Sequence, residues 1–250
     1  MAALTVCCWF WIDPARQTQR TVQLTPEDVF VWDRMVARNL SIPHRRVVIT
    51  HRPDLFPGLE TLPVDVRTHV PGTCCIKLAT HKPGFVAKEG DRVLLTDIDC
   101  VVVANIDPVV QRDEPFVGWK NPNYVEGGRR GFIQGSMQLF TVGATTFLFN
   151  DFDPRSTPGW LNRRFGGGEQ AWISERLNTS WPEPGWEWDV PHYTEADGVY
   201  GAGRLVNGKM GNGVQSELPG NARIVFCPGD RSPSQAEMRT THPWIEEHYR

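Results

Sequence analysis

An α/β fold with a mostly parallel central sheet flanked by helices is predicted by three features of this 250-residue chain. Short runs of β-branched and aromatic residues at 4–11, 46–50 and 92–103 read as buried strands. Helical segments separate them, giving the strand–helix–strand–helix–strand order that parallel sheets with right-handed crossovers require. Glycine and proline are plentiful, at 23 and 20 residues, and crowd residues 178–221 together with tryptophan, so an irregular second half is expected.

Residues 4–11 are too few for a helix and rich in β-formers. Thr25-Pro26-Glu27-Asp28 opens the first helix: Thr caps, Pro takes the first helical position, and two acids meet the positive end of the dipole. Val29, Trp32, Val36 and Leu40 recur at helical spacing and form its apolar face. Residues 46–50 make the second strand, and 53–71 a proline-dotted connection with a short strand at 64–66. A second helix over 73–81 ends before Pro83-Gly84. Residues 92–103 are the strongest strand. Beyond it, 116–119 and 137–142 read as short strands around a polar loop at 120–131, and 145–150 and 170–177 as short helices. A last strand at 223–226 precedes a loop and a helical turn or tail at 242–250. With no repeat and no linker, residues 1–250 are expected to form one domain, the first 110 being a nucleotide-binding half.

Composition narrows the function. The chain carries 26 Lys+Arg against 29 Asp+Glu and is 40% hydrophobic, which excludes disorder and argues against a nucleic-acid coat. No apolar run approaches the ~20 residues of a membrane span. The first twelve residues lack the cationic leader and cleavage site of a signal peptide. The six cysteines include two adjacent pairs and no Cys-x-x-Cys, which points to a reduced, cytoplasmic protein. There is no phosphate-binding Gly-Lys-Ser/Thr loop, no His-Glu-x-x-His and no Gly-x-Ser-x-Gly. Gly201-Ala202-Gly203 follows no clear strand and lacks the third glycine of a dinucleotide fingerprint.

The informative segment is Thr96-Asp97-Ile98-Asp99-Cys100. Residues two apart on a strand share a face, so both carboxylates are expected on one side. Two like charges in apolar β-structure are unfavourable unless a cation or strong donors meet them. The carboxyl edge of an open α/β sheet is where ligands bind. Hard ions such as Mg²⁺ or Mn²⁺ take carboxylates together with phosphate oxygens, so the pair reads as a metal and diphosphate site. The plainer reading is a strand-end turn.

Val93-Leu94-Leu95-Thr96-Asp97-Ile98-Asp99, followed by Val101 to Pro108, resembles the Asp-x-Asp region of GT-A-type nucleotide-sugar glycosyltransferases. It is most similar to a small bacterial and phage family distantly related to glycogenin-like and lipopolysaccharide galactosyltransferases. Gly135-Ser136-Met137-Gln138-Leu139-Phe140 resembles that family's Asn-Ser-Gly strand, and Gly168-Glu169-Gln170-Ala171-Trp172 its acceptor-side Asp-Gln motif. Val225-Phe226-Cys227-Pro228-Gly229-Asp230-Arg231-Ser232-Pro233 resembles its late Phe-His-Gly-x-x-Lys-Pro loop. The resemblance implies a GT-A-type domain, with residues 111–250 as the acceptor-binding half. It implies a Mn²⁺ or Mg²⁺ ion on Asp97 and Asp99, with Ile98 between them lining the donor, a UDP-sugar or other nucleoside-diphosphate sugar. Cys227 stands where many relatives place a metal-binding His, and Arg231 where they place Lys.

Transfer of a sugar needs positive charge at the departing diphosphate. Arg231, beside the permissive Gly229, and Lys77 are the candidates; a solvated helix face is the other reading of Lys77. Glu169 opens a helix after three glycines. It is either a residue favoured there by the dipole or an acceptor-side carboxylate acting as base or orienter, with Gln170 bonding the sugar. Trp9, Phe10 and Trp11 would stack on the base and Asp13 bind its base or ribose edge, or the aromatics belong to the core. Trp160, Trp172, Trp181, Trp186 and Trp188 would meet sugar rings or fill a second core. The acceptor implied is a glycan, a lipid-linked sugar, a protein or a hydroxymethylated DNA base. In the last case Lys120, Arg129, Arg130, Arg163 and Arg164 would face phosphates. For a phage gene the compartment is the host cytoplasm. Rival readings are a sugar-nucleotide-forming nucleotidyltransferase, which would carry a Gly-rich loop where Trp11-Ile12-Asp13-Pro14 stands, and a non-catalytic carbohydrate-binding protein.

Overall fold

A computed structural model describes residues 2–12, 24–65, 74–120, 133–157, 168–177, 190–202, 217–227 and 231–250. Strand β1 (Leu4–Phe10) is buried along its whole length. It pairs in parallel on one side with β2 (His44–Thr50), from Leu4 opposite His44 to Phe10 opposite Thr50. On the other side it pairs in parallel with β4 (Arg92–Thr96). Strand β3 (Thr61–Pro63) adds to the outer edge of β2, where a proline without an N–H is tolerated. Beyond β4 run β7 (Gln134–Thr141) and β6 (Phe116–Trp119), both antiparallel pairings, then β8 (His192–Tyr193), parallel to β6. The order is β3-β2-β1-β4-β7-β6-β8, a mixed sheet that is mostly parallel, as expected.

Helix α1 (Pro26–Asn39) begins where its caps place it. The Asp28 carboxylate accepts from the Thr25 amide at 2.6 Å and from its hydroxyl at 2.9 Å. Val29, Trp32, Val36 and Leu40 are all buried against the sheet. Alternation along β1 divides the core in two. Leu4, Val6, Cys8 and Phe10 pack with α1, and Cys7 and Trp9 face the opposite layer.

The expected strand over 92–103 is two strands. β4 ends at Thr96, and β5 (Cys100–Val102) belongs to a second sheet, antiparallel to β10 (Ile224–Phe226), which is parallel to β9 (Val199–Gly201). Apolar residues on both sides of the two acids do not reveal a change of sheet, because both strands are buried. Asp97 and Asp99 therefore sit in the turn between sheets rather than within a strand.

Smaller differences follow the same logic. The expected helix over 73–81 is a 3-10 segment, Cys75–His81. From it Lys77 meets Asp97 and Glu169, Thr80 meets Trp9, and His81 meets Thr145 and Gln138. The short strand lies at Thr61–Pro63, not 64–66. Gly201 ends strand β9, contrary to the reading that no strand precedes it. Remaining helices are α2 (Asp107–Val110), α3 (Phe147–Asn150), α4 (Glu169–Arg176), α5 (Ala236–Thr241) and α6 (Trp244–His248), the fifth within a stretch read as loop. All six cysteines are free thiols. Among the described residues no helix is long and apolar enough to cross a membrane.

Candidate active site at the end of strand β4

The turn after β4 is held by its backbone. The Asp97 N–H donates to the Ser136 carbonyl at 2.8 Å, and the Asp97 carbonyl accepts from the Cys100 thiol at 3.2 Å. The Asp99 carbonyl accepts from the Cys227 N–H at 2.8 Å. One residue earlier, the Thr96 hydroxyl accepts from the buried Trp32 indole at 2.9 Å. Four elements thus fix where the two carboxylates begin.

Lys77 lies 5% exposed, so the solvated-face reading is overturned. Its Nζ stands 2.5 Å from Asp97 Oδ1 and 3.2 Å from Glu169 Oε1. Burial works against the ammonium's charge, but the carboxylates of Asp97 and Glu169 outweigh it and lift the lysine well above its ordinary range. The Lys77 and Glu169 side chains are each 6% exposed and Asp97 is 26%, so Asp97 is the member that opens to solvent. Glu169 begins α4, but its partner is this lysine, not the helix dipole alone. It fits only because β7 carries Gly135 opposite it: a Cβ there would fall 2.4 Å from Glu169 Oε1. The next side chain, Gln170, accepts from the Gly135 N–H at 3.4 Å. Lys77, Asp97, Glu169 and Gln170, distant in sequence, are brought together.

Ile98 is buried at 3% and anchors the turn. Asp99 and Cys227 meet through their backbones. The Cys227 thiol is fully buried, and burial together with the Asp99 charge pushes it well above the usual cysteine range. Arg231 is exposed, and its charge is felt at Cys227 and at the buried His242. Among the described residues no three His, Cys, Asp or Glu side chains converge as a metal cluster, so Asp97, Asp99 and Cys227 are not assembled as a ligand trio.

Trp9 is buried at 5%, donates its indole N–H to the Thr80 hydroxyl at 2.8 Å and stacks on Phe85. It belongs to the core. Phe10 is core as well, and Trp11 is half-buried, edge-on to Trp9. Trp172 donates to the Leu148 carbonyl at 2.8 Å inside the second core. Asp13, Gly229, Trp160, Trp181, Trp186, Trp188, Arg129, Arg130, Arg163 and Arg164 lie outside the described residues. Lys120 is half-buried, and its N–H donates to the Tyr193 carbonyl.

Nothing in the sequence marks Trp32 as a support of the site, although a buried indole N–H usually finds an acceptor. The same holds for His81. Its ring lies between the Thr145 hydroxyl (2.9 Å) and Gln138 Oε1 (3.1 Å), and burial lowers its pKa to about 4.

Two solved structures share the whole architecture. A galactosyltransferase LgtC, solved with donor and acceptor sugar analogues, superposes with a TM-score of 0.57 over 98% of this chain and 96% of that one, at 10% identity. An active-site mutant of LgtC gives 0.58 over 95% and 94%, at 11% identity. The fold is GT-A. No protein-family model and no curated protein matches the sequence. The likeness covers both halves of the chain and carries the fold; the chemistry rests on the cluster around Lys77.

Proposed function

We propose that the chain is a metal-dependent glycosyltransferase that moves a sugar from a nucleoside-diphosphate sugar, UDP-linked in the first instance, to an acceptor hydroxyl. One observation carries this: a lysine 5% exposed holds two carboxylates from separate elements at the carboxyl end of β4, two residues from a third, Asp99. Such a cluster contributes little to stability, since a well-packed apolar replacement is often as good or better. Its place at the sheet edge of a GT-A fold gives it a chemical use.

The donor set fits a hard ion, Mn²⁺ or Mg²⁺. Asp97 and Asp99 would supply oxygen ligands, with phosphate and water completing the shell. Such an ion would neutralise charge developing on the leaving diphosphate. Lys77 and Arg231 add fixed positive charge for the same leaving group. Glu169 and Gln170, side by side at the start of α4, would orient the acceptor hydroxyl, with Glu169 as the base that takes its proton. Ile98 fixes the turn, and Trp11, Asp13 and Gly229 complete the donor side. Cys227, which is not brought into a three-ligand cluster with the two acids, would join the shell only by moving its side chain and giving up the thiol proton. A lower Mn²⁺ affinity in Cys227→Ser assigns it there; an unchanged affinity leaves the shell to the carboxylates.

The test is a donor-by-acceptor screen with Mn²⁺, read by mass spectrometry, with glycan, protein and hydroxymethylated DNA acceptors. Transfer or donor hydrolysis is expected, abolished by Asp97→Asn and by Asp99→Asn with the fold intact. Absence of hydrolysis, transfer and nucleotide binding across the panel overturns the reading.

A further inference from the structure

The Lys77 ammonium already occupies the place where a cation is wanted most. It sits 2.5 Å from Asp97 Oδ1 with the lysine itself sealed from water. The 3-10 segment that carries it is held by the Trp9–Thr80 bond and by the bonds of His81 to Thr145 and Gln138. Glu169, the second carboxylate on the same ammonium, is buried where Gly135 has no side chain. A divalent ion arriving at Asp97 therefore meets a like charge at hydrogen-bond distance, behind a wall that keeps out screening water.

The geometry points to Lys77 as a built-in counter-cation that competes with the divalent ion for Asp97, so that metal binds weakly until a diphosphate gives the ammonium a further anionic partner beside Asp97 and Glu169. This inference rests on the donor-and-metal reading above and adds a coupling to it. Metal and diphosphate each raise the other's affinity by one common factor, and Lys77 sets that factor. Glu169 moderates the effect: by sharing the ammonium it loosens its hold on Asp97.

The experiment is Mn²⁺ titration of the full chain followed by electron paramagnetic resonance, with Mn²⁺ alone and then with UDP. Glu169→Gln leaves the ammonium undivided on Asp97 and is expected to weaken binding of Mn²⁺ alone. The double variant Lys77→Met/Glu169→Gln replaces the buried ion pair by a neutral pair of similar volume. It is expected to bind Mn²⁺ alone about tenfold more tightly than wild type and to show a smaller gain on adding UDP. Lys77→Arg keeps the charge and should remain weak. Equal affinities across the set, or Lys77→Arg behaving like the double variant, overturn the inference while Asp97-dependent Mn²⁺ binding persists. If Asp97→Asn binds Mn²⁺ as well as wild type does, the metal reading falls and the inference falls with it. Thermal melts of each variant show that affinities are compared between folded chains.

Discussion

Gly135 is the position where a single methyl group interrogates the whole cluster. In Gly135→Ala the new Cβ would stand 2.4 Å from Glu169 Oε1 and 3.1 Å from its Cδ, the first a separation that real Cβ atoms do not show. An exposed glutamate would swing aside at little cost. Here the carboxylate is 6% exposed and tied to Lys77 at 3.2 Å, so it can move only by stretching that pair. Overpacking of this kind costs about 1–3 kcal/mol, and losing a buried ionic partner outright about 3–5 kcal/mol. Because the pair stretches rather than disappears, the expected loss is about 2 kcal/mol, or about 4–8 °C in melting temperature for a chain of this size. Circular dichroism melts measure it directly. The companion change Glu169→Asp withdraws the carboxylate by one methylene, so Gly135→Ala/Glu169→Asp should recover at least half of the loss relative to Glu169→Asp alone. A melting temperature for Gly135→Ala within about 1 °C of wild type, or a loss that the shorter acid does not relieve, would refute the packing and pairing described for Glu169.

Two further outcomes follow from groups behind the site. His81 is buried and neutral, with a native pKa of about 4 against about 6.5 in the unfolded chain, so the unfolded chain binds a proton that the native one refuses. Stability is therefore complete above pH 6.5 and drains as pH falls toward 4, by up to about 3 kcal/mol. Urea titrations at several pH values should show this slope in wild type and a flatter one in His81→Gln; identical slopes would remove His81 as its source. Thr96→Val strands the buried Trp32 N–H without its 2.9 Å acceptor and should cost about 1–3 kcal/mol in urea unfolding. Thr96→Ser, which keeps the hydroxyl, should cost clearly less, and equal losses would show that the hydroxyl does not matter.

What could be read from the chain was whatever is local. Thr25, Pro26 and Asp28 announce α1 by chemistry within one turn, and its apolar face appears where the 3.6-residue period puts it. Asp97 and Asp99 stand out because charges are rare in a run such as 92–103. The surroundings of those acids were not legible, since Lys77 reaches Asp97 from the 3-10 segment and Glu169 reaches the same lysine from α4. A lysine in a short helix-like stretch looks the same in sequence whether it faces water or a buried carboxylate. Glu169 had a sufficient local explanation in the helix dipole, which concealed the long-range one. Trp9 shows the converse: an aromatic at a strand end suits either base stacking or the core, and its burial, its stack on Phe85 and its bond to Thr80 decide for the core.

The change of sheet between β4 and β5 explains why the site lies where it does. A strand that ended in solvent would leave Asp97 and Asp99 as ordinary turn residues, hydrated and without consequence. Here the chain leaves one sheet at Thr96 and enters the other at Cys100, and both strands are buried. The intervening residues are clamped from both sides, by Ser136 of β7 in the large sheet and by Cys227 following β10 in the small one. Two acids are thereby held at a seam where each sheet contributes backbone, Lys77 supplies one internal cation, and Asp97 keeps a face open at 26% exposure. Fixed carboxylates with an open face are what the proposed divalent ion and diphosphate would use, and the Lys77 variants test that proposal.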